Sequence, residues 1–98
     1  MAPTLDSRTV DAWLADHVGW EKLGDKAIAR TFTGSSFSAS VAFVVKIAMA
    51  AERRGHHPLL ELGAAGVRVL WTTHESDGLT ALDLELAEAT DRAATAAP

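Results

Sequence analysis

Ser36-Phe37-Ser38-Ala39-Ser40-Val41-Ala42-Phe43-Val44-Val45-Lys46-Ile47-Ala48-Met49-Ala50-Ala51-Glu52-Arg53-Arg54-Gly55 is the stretch on which the fold turns. Ser36 carries the hydroxyl that accepts from a free amide in a helix's first turn, and Gly55 suits the left-handed residue that closes a helix. Between them Phe37, Val41, Val44, Val45, Ala48 and Met49 recur at helical spacing, which predicts a helix over 36–54. Phe43, Ile47, Ala50 and Ala51 widen the apolar surface beyond one stripe. A helix so apolar around its circumference is buried on two sides. In a chain of 98 residues the second side meets another subunit, or a closely approaching helix of the same chain.

On each side of this helix lies a pair of strand candidates. Upstream, Trp20-Glu21-Lys22-Leu23 and residues 26–33 flank Gly24-Asp25 as two short strands around a turn. The alternation of the second is imperfect, because Arg30 shares parity with Ile28 and Phe32. Downstream, Leu59-Leu60-Glu61-Leu62 and residues 66–73 flank a flexible turn at 63–66. In the last strand Val67, Val69 and Trp71 point one way and Arg68, Leu70 and Thr72 the other, with His74 continuing the second set. Residues 75–78 form a loop.

A helix closes each end of the chain. Asp6 or Ser7 caps the first, Val10, Trp13, Leu14 and His17/Val18 form its face, and Gly19 ends it. His17 falls in its last turn, where a cation meets the negative end of the helix dipole. The final helix starts at Thr80, with Asp83 as the acid of a capping box and Leu79 and Leu84 as a hydrophobic staple. Leu82, Leu86, Ala89 and Ala93 make its face, while residues 1–5 and 95–98 are expected to be frayed tails of a single domain over 1–98. The order α-β-β-α-β-β-α, with hairpins instead of βαβ units, predicts an α+β two-layer sandwich: a four-stranded, mostly antiparallel sheet with three helices on one face.

Composition narrows the function. A net charge of −4 and a pI near 5.4 oppose an electrostatic grip on nucleic acid or anionic lipid. The absence of cysteine removes disulfides, thiolate metal sites and a cysteine nucleophile. No signal peptide is legible at the start, and the longest apolar run, 41–51, is too short to span a membrane and carries Lys46. A soluble, cytoplasmic protein of one domain is expected, burying roughly 60–65% of the surface its unfolded chain exposes.

Three of the four histidines lie in two short segments: Glu52-Arg53-Arg54-Gly55-His56-His57-Pro58, and Thr72-Thr73-His74. Imidazole can take a proton and imidazolium can give one near neutral pH, so clustered histidines suit acid–base chemistry. Pro58 restricts the chain at His57 and thereby the directions of both histidines. Three histidines also suggest zinc, but neighbouring residues rarely ligate one ion together, so no metal is expected.

Glu52-x-x-x-His56-His57-Pro58 followed by Thr73-His74-x-x-x-Gly78-Leu79-Thr80-x-x-Asp83 resembles the signature of the pterin-4a-carbinolamine dehydratase family, and weaker agreement extends over residues 7–92. The resemblance implies dehydration of a 4a-hydroxytetrahydropterin to a quinonoid dihydropterin, which recycles the pterin used by aromatic amino-acid hydroxylases. No metal or other cofactor takes part, the reduced pterin being the substrate. His56, His57 and His74 would be catalytic around the pterin's 4a carbon, with His57 the principal acid–base, His74 its counterpart and His56 a positioning group. Glu52 and Asp83 would be supporting carboxylates, and Pro58 and Thr73 would support or bind the substrate; Trp20 reads first as a core or edge aromatic, with a place in the substrate pocket as its alternative. The resemblance also implies a homodimer or homotetramer, paired through sheet edges or the central helix. Some members of the family act instead as interaction modules, as a dimerisation cofactor or an assembly factor of another protein. Leu59, Leu60 and the small residues at 63–66 stand where the family carries an acidic residue and aromatics, so the expected pocket wall differs from the family's.

Overall fold

A computed structural model describes residues 2–96, with side chains to 94. The element order is α1 (Ser7–Asp16), β1 (Glu21–Leu23), β2 (Ala27–Phe32), α2 (Phe37–Arg54), β3 (Leu59–Gly63), β4 (Gly66–Trp71), a single 3-10 turn (His74–Ser76) and α3 (Ala81–Ala96). This is the expected α-β-β-α-β-β-α sandwich. All three strand pairings are antiparallel, and the sheet order is β1-β2-β4-β3. α2 therefore carries the chain from the inner strand β2, past β4, to the edge strand β3.

Register explains the two faces. Ile28 pairs with Trp71, Arg30 with Val69 and Phe32 with Val67, and Leu60 also pairs with Val69. Ile28, Val67, Val69 and Trp71 are buried under the helices, against Val10, Phe43, Ile47, Leu84, Leu86 and Ala87. Arg30 shares that covered face at no cost in unpaired charge: its guanidinium meets Asp91 of α3 at 3.0 Å and lies 4.9 Å from the Phe32 ring centroid. Glu61, Arg68 and Leu59 occupy the opposite, uncovered face.

Side chains set the helix ends. Asp6 Oδ1 accepts from the Thr9 amide at 2.8 Å, and that bond holds the Asp6 carboxyl below its ordinary pKa. α1 ends before the expected Gly19. His17 Nδ1 occupies the Trp13 carbonyl at 2.7 Å, the acceptor that a continuing helix would offer the His17 amide, and that amide turns to Leu14 O. His17 is thus a helix-end residue, stacked 4.0 Å from Trp13. Val18, counted with the apolar face, is exposed because the helix has already ended.

In α2, Ser36 and Gly55 cap as expected, Gly55 in the left-handed conformation. The buried face consists of Ser40, Phe43, Ile47 and Ala51. Phe37, Val41, Val45 and Met49 form a second stripe that is 38–58% exposed, so no helix among the described residues covers it. Of the tail expected at residues 1–5, residue 1 lies outside the described residues and 2–4 are exposed, but Leu5 is anchored: its N–H donates to Leu79 O at 2.8 Å and its side chain lies against the core. Of the tail expected at 95–98, α3 takes up the first two residues, and 97–98 lie outside the described residues.

The β3–β4 hairpin turns on Gly66, at φ +133°, where a Cβ would collide with the carbonyl oxygen of Phe32. An alanine there faces both an unfavourable backbone region and a clash with a central strand. Gly66→Ala is expected to lower stability by about 2–3 kcal/mol, read by urea unfolding. A loss below about 0.5 kcal/mol, the range of an ordinary surface change, would show that the turn relaxes freely.

Candidate active site

The site forms where α2 ends, β4 ends and α3 begins. Gly55 turns the chain out of α2, and the His56 amide returns to Ala51 O at 3.1 Å, so both histidines leave a fixed helix end. Their side chains go different ways. His56 is buried and stacks nearly parallel on Trp71, with ring centroids 5.8 Å apart. His57 is exposed, and its Nε2 lies 2.7 Å from Glu52 Oε1, one turn back on α2.

Asp83 joins these elements. Its carboxylate is fully buried, with Oδ1 2.6 Å from His56 Nε2 and Oδ2 accepting from Thr73 Oγ1 at 2.6 Å and from the Thr80 amide at 2.9 Å. An ionised carboxylate only accepts, so the network assigns the proton to His56 Nε2. Asp83 thus has two tasks. It is the capping-box acid expected from sequence, and it also fixes the ring and tautomer of a histidine from another element. The Thr80 hydroxyl completes the cluster at 2.9 Å from Thr73 Oγ1.

His74 does not continue β4. The strand stops at Trp71, and Thr73 turns inward to Asp83 while its backbone pairs with Gly78. That inward turn forces the chain into the 3-10 turn on which His74 stands. His56, His57 and His74 nevertheless line one concavity of about 130 Å³, together with Gly55, Thr72 and Glu75. Thr72, quoted with the His74 segment, and Glu75, read as loop, were given no role from sequence; only their adjacency to His74 could have suggested one.

Glu52 reaches the site through His57, and Thr73 and Asp83 through His56. Pro58 follows the pair and sets its exit. Trp20 lies elsewhere, 6% exposed in the core, with its indole Nε1 2.9 Å from Asp91 Oδ2. Its side chain serves the α3–sheet contact, and it is absent from the lining of the histidine concavity. Leu59 and Leu60, the departures after Pro58, are also absent from that lining. Among the described residues no three His, Asp or Glu side chains converge as metal ligands would, and no helix is long and apolar enough to cross a membrane.

The sequence model described as pterin 4 alpha carbinolamine dehydratase matches residues 3–93. A protein of Thermosynechococcus vestitus, provisionally named pterin-4-alpha-carbinolamine dehydratase, is 40% identical over 88 residues, covering 90% of this chain and 92% of its own. A Bradyrhizobium protein with the same provisional name is 39% identical, covering 98% of this chain and 97% of its own. Among solved structures, a transcriptional coactivator/pterin dehydratase from Brucella melitensis superposes with a TM-score of 0.87 at 32% identity, covering 93% of this chain and 98% of that one. A pterin dehydratase-like protein identified as a RuBisCO assembly factor in the alpha-carboxysome shares the fold, with a TM-score of 0.68 at 22% identity over 80% of this chain and 92% of that one.

Proposed function

The chain belongs to the pterin 4 alpha carbinolamine dehydratase family, and from that premise we propose that it dehydrates a 4a-hydroxytetrahydropterin to the quinonoid dihydropterin by histidine acid–base catalysis. The observation that carries this is the convergence of His56, His57 and His74 on one concavity from two separate segments. The C4a–O bond breaks as an imidazolium protonates the departing hydroxyl, which leaves as water. A neutral imidazole removes the N5 proton, and the N5=C4a double bond forms.

The side-chain partners support a division of labour. His57 is the principal acid–base: it is exposed to the concavity, and Glu52 on Nε2 leaves Nδ1 to move the proton. His74 is its counterpart across the pterin. His56, locked by Asp83 and stacked on Trp71, orients the substrate and does not shuttle protons. Glu52, Asp83 and Thr73 are supporting groups. The reaction so described uses no metal or other cofactor, and its setting is cytoplasmic pterin recycling. The test is the rate at which a freshly generated 4a-hydroxytetrahydropterin loses water. Catalysis is expected to exceed the buffer rate in proportion to enzyme, and a folded protein with no such effect would overturn the proposal.

A second reading, a non-catalytic interaction module, is favoured by one observation: the exposed stripe of Phe37, Val41, Val45 and Met49 on α2. Within the dehydratase reading the same stripe is covered by further copies of the chain, as a homodimer or homotetramer. Light scattering is then expected to give an oligomer for the wild type and a smaller species for Val45→Glu, which places a charge in the stripe. A monomeric wild type would instead leave the stripe for a foreign partner.

A further inference from the structure

We propose that residues 2–5 form a strap that positions His74, an inference that rests on the dehydratase reading. His56 is held by Asp83 and His57 by Glu52, but the His74 side chain makes no hydrogen bond or ion pair among the described residues. Its direction is set by the backbone of the turn that carries it. That turn closes on its own backbone bonds, Asp77 N–H to His74 O and the Thr73–Gly78 pair, and neighbouring segments tie it from outside.

The strap crosses the turn on its downstream side. Ser76 Oγ donates to Ala2 O at 2.7 Å, and Leu5 N–H donates to Leu79 O at 2.8 Å. Between these bonds Thr4 lies over Gly78, which is buried, and a Cβ added at Gly78 would stand 3.1 Å from Thr4 Cγ2. Gly78 has no left-handed φ to explain its identity. A side chain there would crowd Thr4 of the strap, which must give by a few tenths of an ångström. The other flank is held by the β1–β2 hairpin, where the Thr72 hydroxyl donates to Lys26 O and Lys26 Nζ meets the Asp77 carboxylate at 3.0 and 3.1 Å. Both ends of the loop are tied at Thr73 and Gly78, whose backbones pair. The Lys26–Asp77 pair and the Ser76–Ala2 bond both lie in solvent and each contributes little, so the strap is anchored by Leu5, whose N–H donates to Leu79 O and whose side chain packs on the core.

Three variants test this: deletion of residues 2–4, Gly78→Ala, which pushes Thr4 away without shortening the chain, and Ser76→Ala. Each is followed by amide hydrogen exchange, by the imidazole NMR signals of His74, and by dehydration kinetics. For the deletion, exchange at residues 73–79 is expected to accelerate while the amides of α2 stay protected, and the His74 signals to shift while those of His17 do not. Misplacing one acid–base group predicts a fall in kcat on the order of tenfold, with a smaller change in KM. Gly78→Ala is expected to act in the same direction. Ser76→Ala, which removes one hydrogen bond, is expected to cost about fivefold in kcat, and Ser76→Thr to restore the rate. Unchanged exchange and unchanged His74 signals in both the deletion and Gly78→Ala would overturn the strap. So would faster exchange throughout the protein, which would mark a merely structural contact, or local loosening without loss of kcat. A wild type without dehydratase activity would overturn the functional reading, and exchange and the His74 signals would then decide the strap on their own.

Discussion

Asp83→Ala is expected to remove roughly 3–5 kcal/mol of stability, about half of what a domain of this size commonly has. The carboxylate is fully buried and satisfies three donors from three places: His56 after α2, Thr73 after β4 and the Thr80 amide just ahead of α3. Truncation leaves the His56 N–H and the Thr80 amide without their acceptor and leaves Thr73 only the Thr80 hydroxyl at 2.9 Å, and a buried donor stripped of its partner costs its desolvation. The effect should be visible in urea unfolding at 25 °C. A loss below about 1 kcal/mol, the worth of a single ordinary hydrogen bond, would show that water or a local rearrangement replaces the carboxylate.

Asp83→Asn separates the structural task from the chemical one. The amide keeps the shape, so most of the stability should remain. It offers one acceptor and one donor where the carboxylate has two acceptors. If the oxygen keeps Thr73 and Thr80, the amide NH2 faces His56 Nε2, and the imidazole must move its proton to Nδ1 to accept. An upfield-to-downfield exchange of the two His56 nitrogen shifts, together with a reduced dehydration rate in a folded protein, is the expected result. A variant with wild-type rate and an altered tautomer would remove Asp83 from any role in positioning the substrate.

His57→Ala is expected to reduce kcat by about 10²–10⁴-fold, the usual contribution of a positioned general acid–base. Its stability should change little, because the side chain is 65% exposed and its bond to Glu52 lies in solvent. His56→Ala offers the contrast. It should lose stability as well as rate, since it strips the buried Asp83 of one donor and uncovers the Trp71 face. If His57→Ala keeps its rate while His74→Ala loses it, the two exposed histidines exchange roles.

Much of this was legible in residue order, because the cues act over a few positions. Ser36 and Gly55 mark the ends of α2 through backbone groups within one turn, and the alternation of Val67, Val69 and Trp71 reports a strand with one covered face. The motif residues around His56 and His74 pointed to one site for the same local reason, with glycine, proline and capping groups setting the backbone that bears them. Other features were ambiguous at short range. The two apolar stripes of α2 have the same helical period, so spacing alone could not choose which meets the sheet. Packing chose Phe43, Ile47 and Ala51, and left Phe37, Val41, Val45 and Met49 outside. Trp20 was equally open: an aromatic before a strand fits a pocket or a core, and its indole found Asp91 on α3.

The α-β-β-α-β-β-α order, the helix caps and the candidate histidines could be read from residue order, since each depends on neighbours along the chain. How those histidines differ depends on segments far apart in it. Asp83 lies 27 positions from His56, and residues 2–5 lie at the far end of the chain from the turn they hold. Such pairings carry no periodicity to read. They exist because the antiparallel sheet and its covering helices bring the end of α2, the end of β4 and the start of α3 together, where a buried carboxylate must find every donor it can accept.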